Sequence, residues 1–484
     1  MLPLLGLLTW IILGTPPQQR AVTTVEKAVA AMGGTEKLRA IQRIQRELVG
    51  TLPDPGQGES PAKPDNAPIR EVLARDGTGK IADVLDLLIR GGLRLHLRSV
   101  SDGQEAFRVN YENSTLTTFP STRATPYLQA VLRRFPEQLL LNAQRRPEAL
   151  RYLGTHTVNG GKYEVVAYGD VDGEVTDLYF DAVTGDLARV QRLNDDPVRG
   201  DAPIATLYTR YQRTGGFRFP TRIIGLQGAD TVSDVLVERL TIDSVADSLF
   251  AKPQNLPTAA APDPNTKLVP LGSDVYLVKG GYNAAFVVFD QYVLVLEAPL
   301  SSAYQEGVIK LIDSVAPDKP IRYLVSTHFH YDHLGGVRPY IARHATIVTT
   351  GAAAEIIRRL STRTHSLRPD TLSKAPVPPA IEIVKQRRSF TDAHHAVEVI
   401  ELRNMPHVAD MLVAYVPALK LLFQGDLYDS YALAEVPATD DGEALFRWLP
   451  GSGLDVERVI PVHGPNAPVP LTALVRAHEL RQKK

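Results

Sequence analysis

The spacing of hydrophobic positions changes along the chain, and the changes mark its segments. Residues 23–41 predict two short helices, the first from the helical spacing of Val25, Ala28, Val29 and Met32, with Gly33 and Gly34 between them. From there to about Phe250, apolar and polar residues mostly alternate, which predicts strands and turns, with a helix over 125–135 and a hairpin turn at Asp181 to Asp186. Residues 51–68 are rich in Pro, Gly and charge and are predicted to form a surface loop.

The pattern changes again after Lys252–Thr266, a Pro- and Ala-rich stretch that we interpret as a linker. Beyond it, three closely spaced strands are followed by a helix with Val308, Leu311, Ile312 and Val315 on one face. Strands and helices then continue together, as in a mixed α/β domain. The predicted organisation is therefore an N-terminal segment (1–20), an antiparallel-sheet domain (21–251), the linker (252–266) and a second domain (267–484).

The apolar run Leu2 to Gly14 is shorter than the ~20 residues that span a bilayer. Followed by Pro16 and Pro17, it predicts a signal peptide or an N-terminal anchor, and hence a periplasmic or secreted protein. The absence of Lys or Arg before the run leaves a buried or fraying terminus as the alternative. No later stretch predicts a membrane span.

Composition narrows the chemistry. The 484 residues include no cysteine, which excludes disulfides, thiolate metal sites and cysteine nucleophiles. Any metal site must therefore be built from His, Asp and Glu. The net charge of −1 offers no excess of Lys and Arg, so we expect no nucleic-acid partner.

The stretch "STHFHYDHLGG", residues 326–336, concentrates metal-binding side chains. His328 and His330 lie two apart at the end of a predicted strand and are expected on the same side, and Asp332 and His333 follow in a turn before a predicted helix. Three imidazoles and a carboxylate suit zinc, iron or manganese. The alternative is a polar loop with incidental histidines.

This motif resembles the signature of the metallo-β-lactamase superfamily, and further candidates follow in order. His407 lies in a loop between two predicted strands, and Asp426 and His463 lie at strand ends. The resemblance implies a C-terminal αββα sandwich and a site for two metal ions with a glyoxalase II-like ligand set. It implies His328, His330 and His407 for the first metal, Asp332, His333 and His463 for the second, and Asp426 as the bridge. Glu297 stands where the superfamily commonly has Asp, at a position that supports the ligands.

The fold class expected from the whole sequence is α+β, with the sandwich preceded by a mainly antiparallel β-sheet domain with a few helices. The function that the resemblance implies is a binuclear metallohydrolase. A metal-bridging hydroxide, oriented by the catalytic Asp332, would attack an ester, thioester, lactone or lactam type bond of a small-molecule substrate. The expected cofactors are two divalent ions, zinc first, with iron or manganese as alternatives.

Two other functions stay open. Some superfamily members are similar to persulfide dioxygenases and hold one iron, here at His328, His407 and Asp426. The N-terminal half is similar to periplasmic lipoprotein-carrier domains, which implies a half-barrel for an apolar ligand and a carrier with a vestigial metal domain. A purely structural N-terminal domain is the alternative to that second reading.

Other segments carry weaker signals. Residues 356–379 predict either a basic lid over an anionic substrate or a solvated helix and loop, and residues 428–446 are a second candidate wall. His344, His365 and His478 are expected to be solvated. His394 and His395 precede a strand rather than follow one, so we prefer His407 as the third ligand.

Overall fold

A computed structural model describes residues 16–170, 173–259, 261, 265–428, 436–464 and 466–483. Most of the predicted leader, residues 1–15, lies outside the described residues. Within them, no helix has the length and apolar character needed to cross a membrane.

The first part of the chain forms one large sheet, called here the N-terminal sheet. Its strands are β1 (Arg43–Ser60), β2 (Lys63–Asp76), β3 (Ile81–Leu88), β4 (Arg94–Ser101), β5 (Ala106–Asn110), β6 (Thr115–Phe119), β7 (Leu150–Val158), β8 (Gly161–Gly169), β9 (Val175–Asp181), β10 (Leu187–Asp196), β11 (Gly200–Thr214), β12 (Phe217–Gln227), β13 (Asp230–Ile242) and β14 (Thr258–Ala259). Their order is β14-β6-β5-β4-β3-β2-β1-β13-β12-β11-β10-β9-β8-β7, and neighbours are antiparallel except β14 and β6. The pairing of β1 with β13 joins the strands β1 to β6 and the strands β7 to β13 into one sheet.

Helices cover part of this sheet. They are α1 (Pro17–Met32), α2 (Thr35–Ala40), α3 (Ser121–Leu132) and α4 (Pro136–Arg145). Val25 and Val29 of α1 and Leu140 of α4 are buried in one apolar cluster with Ile44 and Leu73 of the sheet. The predicted helical spacing near the N-terminus therefore marks the face that packs on the strands.

The prediction of a surface loop at residues 51–68 is wrong, because these residues form the arm of the β1–β2 hairpin. Pairing of β1 with β13 ends at Thr51, and pairing of β2 with β3 begins only at Ile69. Between these points the two strands pair only with each other, so each has an open edge. Proline lacks an N–H donor but is tolerated at such edges, and bulges at Gly58 accommodate the glycines.

The rest of the chain forms two further sheets. The first contains β15 (Lys267–Gly272), β16 (Val275–Lys279), β17 (Ala284–Val288), β18 (Val293–Leu296), β19 (Ile321–Val325), β20 (Thr346–Thr349) and β21 (Ala380–Ile383), in that order. The second contains β22 (Arg387–Thr391), β23 (Ala396–Arg403), β24 (Asp410–Val416), β25 (Leu421–Gln424), β26 (Arg458–Pro461) and β27 (Val469–Pro470), also in order.

Alternate residues of these two sheets face each other. Leu277 and Leu294 of one sheet share a buried cluster with Val399 and Phe423 of the other. The opposite faces belong to a second cluster, which includes Ile312. The helices of this part are α5 (Ser302–Val315), α6 (Tyr331–Leu334), α7 (Arg338–Ala342), α8 (Gly351–Ser361), α9 (Thr371–Lys374), α10 (Asp440–Trp448) and α11 (Leu471–Gln482). This αββα layering, preceded by a large antiparallel sheet, confirms the predicted fold class.

Candidate metal centre

Five of the seven predicted metal ligands lie in loops next to strands of the sandwich. His328 and His330 follow β19, and His407 lies in the loop before β24. Asp426 follows β25, and His463 follows β26. These strand ends meet at one edge of the two packed sheets. Residues that are far apart in the sequence therefore come together in one volume. Asp332 and His333 lie in α6 rather than in a turn before a helix, because α6 begins at Tyr331.

The structure brings all seven side chains together in two groups that share Asp426. The first ligand group comprises His328, His330, His407 and Asp426, and the second ligand group comprises Asp332, His333, Asp426 and His463. In each group, one nitrogen or oxygen atom from every residue lies within 4.8 Å of the others. All the histidines in both groups are buried.

The second ligand group has the spacing of a tetrahedral metal site. The Nε2 atoms of His333 and His463 lie 3.1 Å apart, and each lies 3.0–3.3 Å from Asp426 Oδ1. Asp332 Oδ2 is 3.3 Å from His463 Nε2 and 3.6 Å from His333 Nε2. Tetrahedral zinc, with bonds of about 2.0–2.1 Å, separates its ligand atoms by about 3.3 Å.

The first ligand group lies beside the other oxygen of the shared carboxylate, Oδ2, which is also 3.1 Å from His333 Nε2. Asp426 Oδ2 lies 3.2 Å from His407 Nε2 and 3.8 Å from His328 Nε2. Among the described residues, His328 Nε2, His330 Nδ1 and His407 Nε2 are buried and have no hydrogen-bond partner. Buried polar atoms are rarely left without a partner, so three that face one volume fit a cation there.

Electrostatics divides the histidines into two kinds. Burial, together with neighbouring imidazoles, holds the pKa of His328 well below its ordinary value and lowers the pKa of His330 to about 3. Both rings are therefore neutral at pH 7, and neutral imidazole is the form that binds a metal.

His333 and His407 are the opposite kind. Burial by itself would lower the pKa of each, but nearby carboxylates outweigh it. Asp426 and Asp332 hold the pKa of His333 well above its ordinary value, and Asp426 and Asp441 raise the pKa of His407 to about 10. These carboxylates attract positive charge into the centre, where a bound cation would compete with the two protons.

Glu297 supports the centre from behind. Its Oε1 accepts a hydrogen bond from the Thr327 amide at 2.6 Å, and its Oε2 lies 3.1 Å from His333 Nδ1. With Nδ1 bonded to Glu297, the Nε2 atom of His333 faces the second ligand group. Glu297 is fully buried and has a left-handed backbone with φ +73°, an arrangement that is unfavourable for a residue with a side chain.

Three residues at the centre were missed by the sequence analysis. Asp441, in the first turn of α10, places Oδ2 3.4 Å from His407 Nδ1. The Tyr282 hydroxyl donates to Asp332 Oδ2 at 3.4 Å, and its ring contacts His463 edge-on at 4.2 Å between centroids. Gln57, from the N-terminal sheet, donates to Asp332. Of the three, only Asp441 lies within a segment that the sequence analysis marked as a candidate wall of the site, residues 428–446.

Two of the remaining histidines pair with carboxylates outside the centre. His395 lies near Asp290 and Asp392, and its ring nitrogens pair with Asp392 and Asp274. The prediction that His365 is solvated is wrong, since it is 5% exposed and its Nδ1 lies 2.6 Å from Asp195 Oδ1.

The basic segment 356–379 is held in place by contacts from the sandwich and from the N-terminal sheet. The buried guanidinium of Arg338 pairs with Asp370 at 2.6 Å and donates to the Leu360 carbonyl at 2.7 Å. Asp201 of the N-terminal sheet accepts hydrogen bonds from the Ser366 amide and hydroxyl. Of the second candidate wall, residues 429–435 lie outside the described residues.

Residues 277–458 match the family model described as metallo-beta-lactamase superfamily. The predicted resemblance of the C-terminal half is therefore confirmed. No match is found among curated proteins.

Several solved structures resemble part of the chain. The DIM-1 metallo-beta-lactamase is 16% identical, covers 46% of this chain and 98% of its own, and has a TM-score of 0.34. A metallo-beta-lactamase from Pontibacter korlensis is 18% identical, covers 46% of this chain and 100% of its own, and has a TM-score of 0.33. FIM-1 from Pseudomonas aeruginosa, in a mono-zinc form, is 15% identical, with coverages of 46% and 96% and a TM-score of 0.34.

Proposed function

We propose that this protein is a hydrolase that binds two divalent metal ions, zinc first, and cleaves an ester, thioester, lactone or lactam type bond in a small molecule. The observation that carries the proposal is the pair of ligand groups joined through Asp426. Asp426 Oδ2 lies beside His407 Nε2 and Oδ1 beside His463 Nε2, while His333 Nε2 lies 3.0–3.1 Å from both oxygens. A residue that faces two ligand groups in this way suits two neighbouring cations better than one.

The ligand types decide which cations fit. Nitrogen from neutral imidazole and oxygen from carboxylate suit zinc, with iron and manganese also compatible. When bound, two such ions would lower the pKa of a water to about 7 and polarise the carbonyl oxygen under attack. No serine or cysteine nucleophile is needed for that chemistry.

The chain's own residues keep the centre in one arrangement. Glu297 fixes the ring of His333, and Asp441 lies against Nδ1 of His407. Asp332 has one oxygen beside Gln57 and the other beside Tyr282 and His463. Asp332 Oδ2 is therefore the carboxylate oxygen positioned to orient the attacking water and to accept its proton.

The decisive experiment combines metal analysis with a substrate panel. The wild-type protein, purified and dialysed against zinc, is expected to hold two ions per chain and to hydrolyse at least one of a set of lactones, thioesters, carboxylic esters and β-lactams. Asp332→Asn is expected to lower the rate by about 10²–10⁴-fold. Asp313→Asn, an exposed position on α5, is the matched control and should leave the rate unchanged.

Two outcomes would contradict the proposal. Retention of two zinc ions without hydrolysis of any substrate in the panel would favour a carrier with a vestigial metal domain. One iron per chain, with oxygen uptake on glutathione persulfide, would favour the mononuclear dioxygenase-like alternative.

A further inference from the structure

The arm of the β1–β2 hairpin reaches from the N-terminal sheet to the metal centre. The end of this arm, residues 54–65, is called here the hairpin tip. Gly56 lies so close to Tyr331 that an added Cβ would come within 2.7 Å of its ring. The Glu59 carbonyl accepts a hydrogen bond from the Ala409 amide at 2.8 Å. The tip is thus packed between the loop that carries His407 and the helix that carries Asp332.

The first direct contact holds a ligand of the first group. His330 Nε2 lies 2.9 Å from the Gly58 carbonyl oxygen and 3.0 Å from the Gly58 amide nitrogen. With its proton on Nε2, the ring donates to the carbonyl, and Nδ1 keeps its lone pair for a cation. Only glycine fits at this position, because an added Cβ would lie 2.6 Å from the Lys63 carbonyl oxygen.

The second direct contact holds a ligand of the second group. The Gln57 amide donates to Asp332 Oδ1 at 2.6 Å, while Asp332 Oδ2 faces His463 at 3.3 Å. Gln57 therefore occupies the oxygen that points away from the second ligand group. This contact fixes the rotation of the carboxylate and leaves Oδ2 directed at the centre.

A neighbouring turn of the same sheet supports the third ligand loop. Arg90 donates from Nε to the His407 carbonyl at 3.1 Å, and its Nη2 lies 3.3 Å from Glu59 of the hairpin tip. Gly91 lies against the Asp441 carboxylate so closely that no side chain could be added there. The N-terminal sheet thus contacts the centre at three separate ligands or their loops.

We propose that the hairpin tip is an integral part of the metal centre and that Gln57 is a positioning residue for Asp332, acting on the ion held by the second ligand group. The proposal rests on the proposed function, because it requires cations at the two groups. It gives the N-terminal sheet a role at the catalytic end of the molecule, in addition to any ligand that the sheet binds.

The test measures metal binding rather than turnover. Gln57→Leu removes the amide donor but keeps a side chain of similar size. Gln45→Leu is the matched control, since Gln45 lies on the same strand and donates to Glu47. Each is combined with His407→Asn, which removes a ligand of the first group, and with His463→Asn, which removes a ligand of the second. Cobalt(II) affinity and the visible absorption of the bound ion are recorded for each full-length protein.

Removing a contact that orients a ligand lowers metal affinity by about 10–100-fold. Gln57→Leu is expected to lower cobalt affinity by about 10-fold in the His407→Asn background, with a changed absorption spectrum, and to have no effect in the His463→Asn background. Gln45→Leu should have no effect in either. Equal losses in both backgrounds, or no loss in either, would overturn the inference while the wild type still binds two ions. A wild type that binds no ion would instead overturn the proposed function.

Discussion

The two halves of this molecule both bury charged groups, but they neutralise them differently. In the N-terminal sheet, fully buried Glu137 pairs with Arg46 at 2.6 Å and with Arg75 at 3.5 Å. The guanidinium of Arg46 also lies over the rings of Phe135 and Phe219. In the sandwich, buried Asp426 pairs with the histidines His333, His407 and His463.

The difference separates a structural charge cluster from a candidate metal centre. Arginine remains charged at every accessible pH, so the cation beside Glu137 is a permanent part of the fold. The arginines outweigh the effect of burial and lower the pKa of Glu137. A histidine proton can be displaced by a metal ion that binds the same nitrogen, so the positive charge beside Asp426 is exchangeable for a metal. A buried carboxylate thus indicates a candidate metal site when its partners are histidines, which can lose their protons, rather than arginines, which cannot.

The largest expected effect comes from removing the shared carboxylate. Asp426→Asn should lower metal affinity by more than about 100-fold and abolish hydrolysis, because both ligand groups lose a charged ligand. Metal content after dialysis and the rate on the best substrate of the panel measure it. Asp290→Asn, at the exposed member of the group with Asp392 and His395, should change neither quantity. Equal metal loss in both variants would mean that the two acidic groups do not differ.

A smaller effect is expected from the permanent ion pair. Glu137→Gln leaves Arg46 and Arg75 buried without a carboxylate, which should lower the free energy of unfolding by about 3–5 kcal/mol. Thermal denaturation followed by circular dichroism measures the loss, with the exposed Glu36→Gln as control. Metal content should stay at the wild-type value. Loss of metal at an unchanged melting temperature would contradict the assignment of the Glu137 cluster to a purely structural role.

The smallest expected effect concerns a carboxylate that lacks a full partner. Asp83 accepts from Tyr127 and lies near Glu71, which is paired with Arg134. Burial, with repulsion from Glu71, raises the pKa of Asp83 from 3.8 to about 7. Because the folded state holds this proton more tightly, the stabilisation is complete below pH 3.8 and is lost as the pH rises through 7.

Asp83→Asn removes the ionisation and should make the protein more stable than wild type at pH 8, by about 1–3 kcal/mol. The advantage should shrink as the pH is lowered to 5.5. Melting temperatures of both proteins across this range test the sign. An advantage that grows toward acid would show that Asp83 is ionised throughout.

The seven candidate ligands could be picked out of the sequence because each one lies in a short local pattern. His328, His330, Asp332 and His333 occupy six consecutive positions, and the other three end or precede hydrophobic strands. The sequence could not predict Gln57, because its partner lies 275 residues away and its own segment resembled a loop. Pro53 and Pro55 make this strand look like a loop in the sequence. The register of β1 with β13 shows that both prolines lie on an unpaired edge of β1, where proline is tolerated.

The contact between Gln57 and Asp332 also has a consequence for the folding of the chain. It joins positions 275 residues apart, and contacts of such high sequence separation form more slowly than local ones. In a refolding experiment, the sheets should therefore regain their circular dichroism before the second ligand group reaches its native metal affinity. The time between the two recoveries would measure how fast the two halves dock, with the bound ion as the reporter.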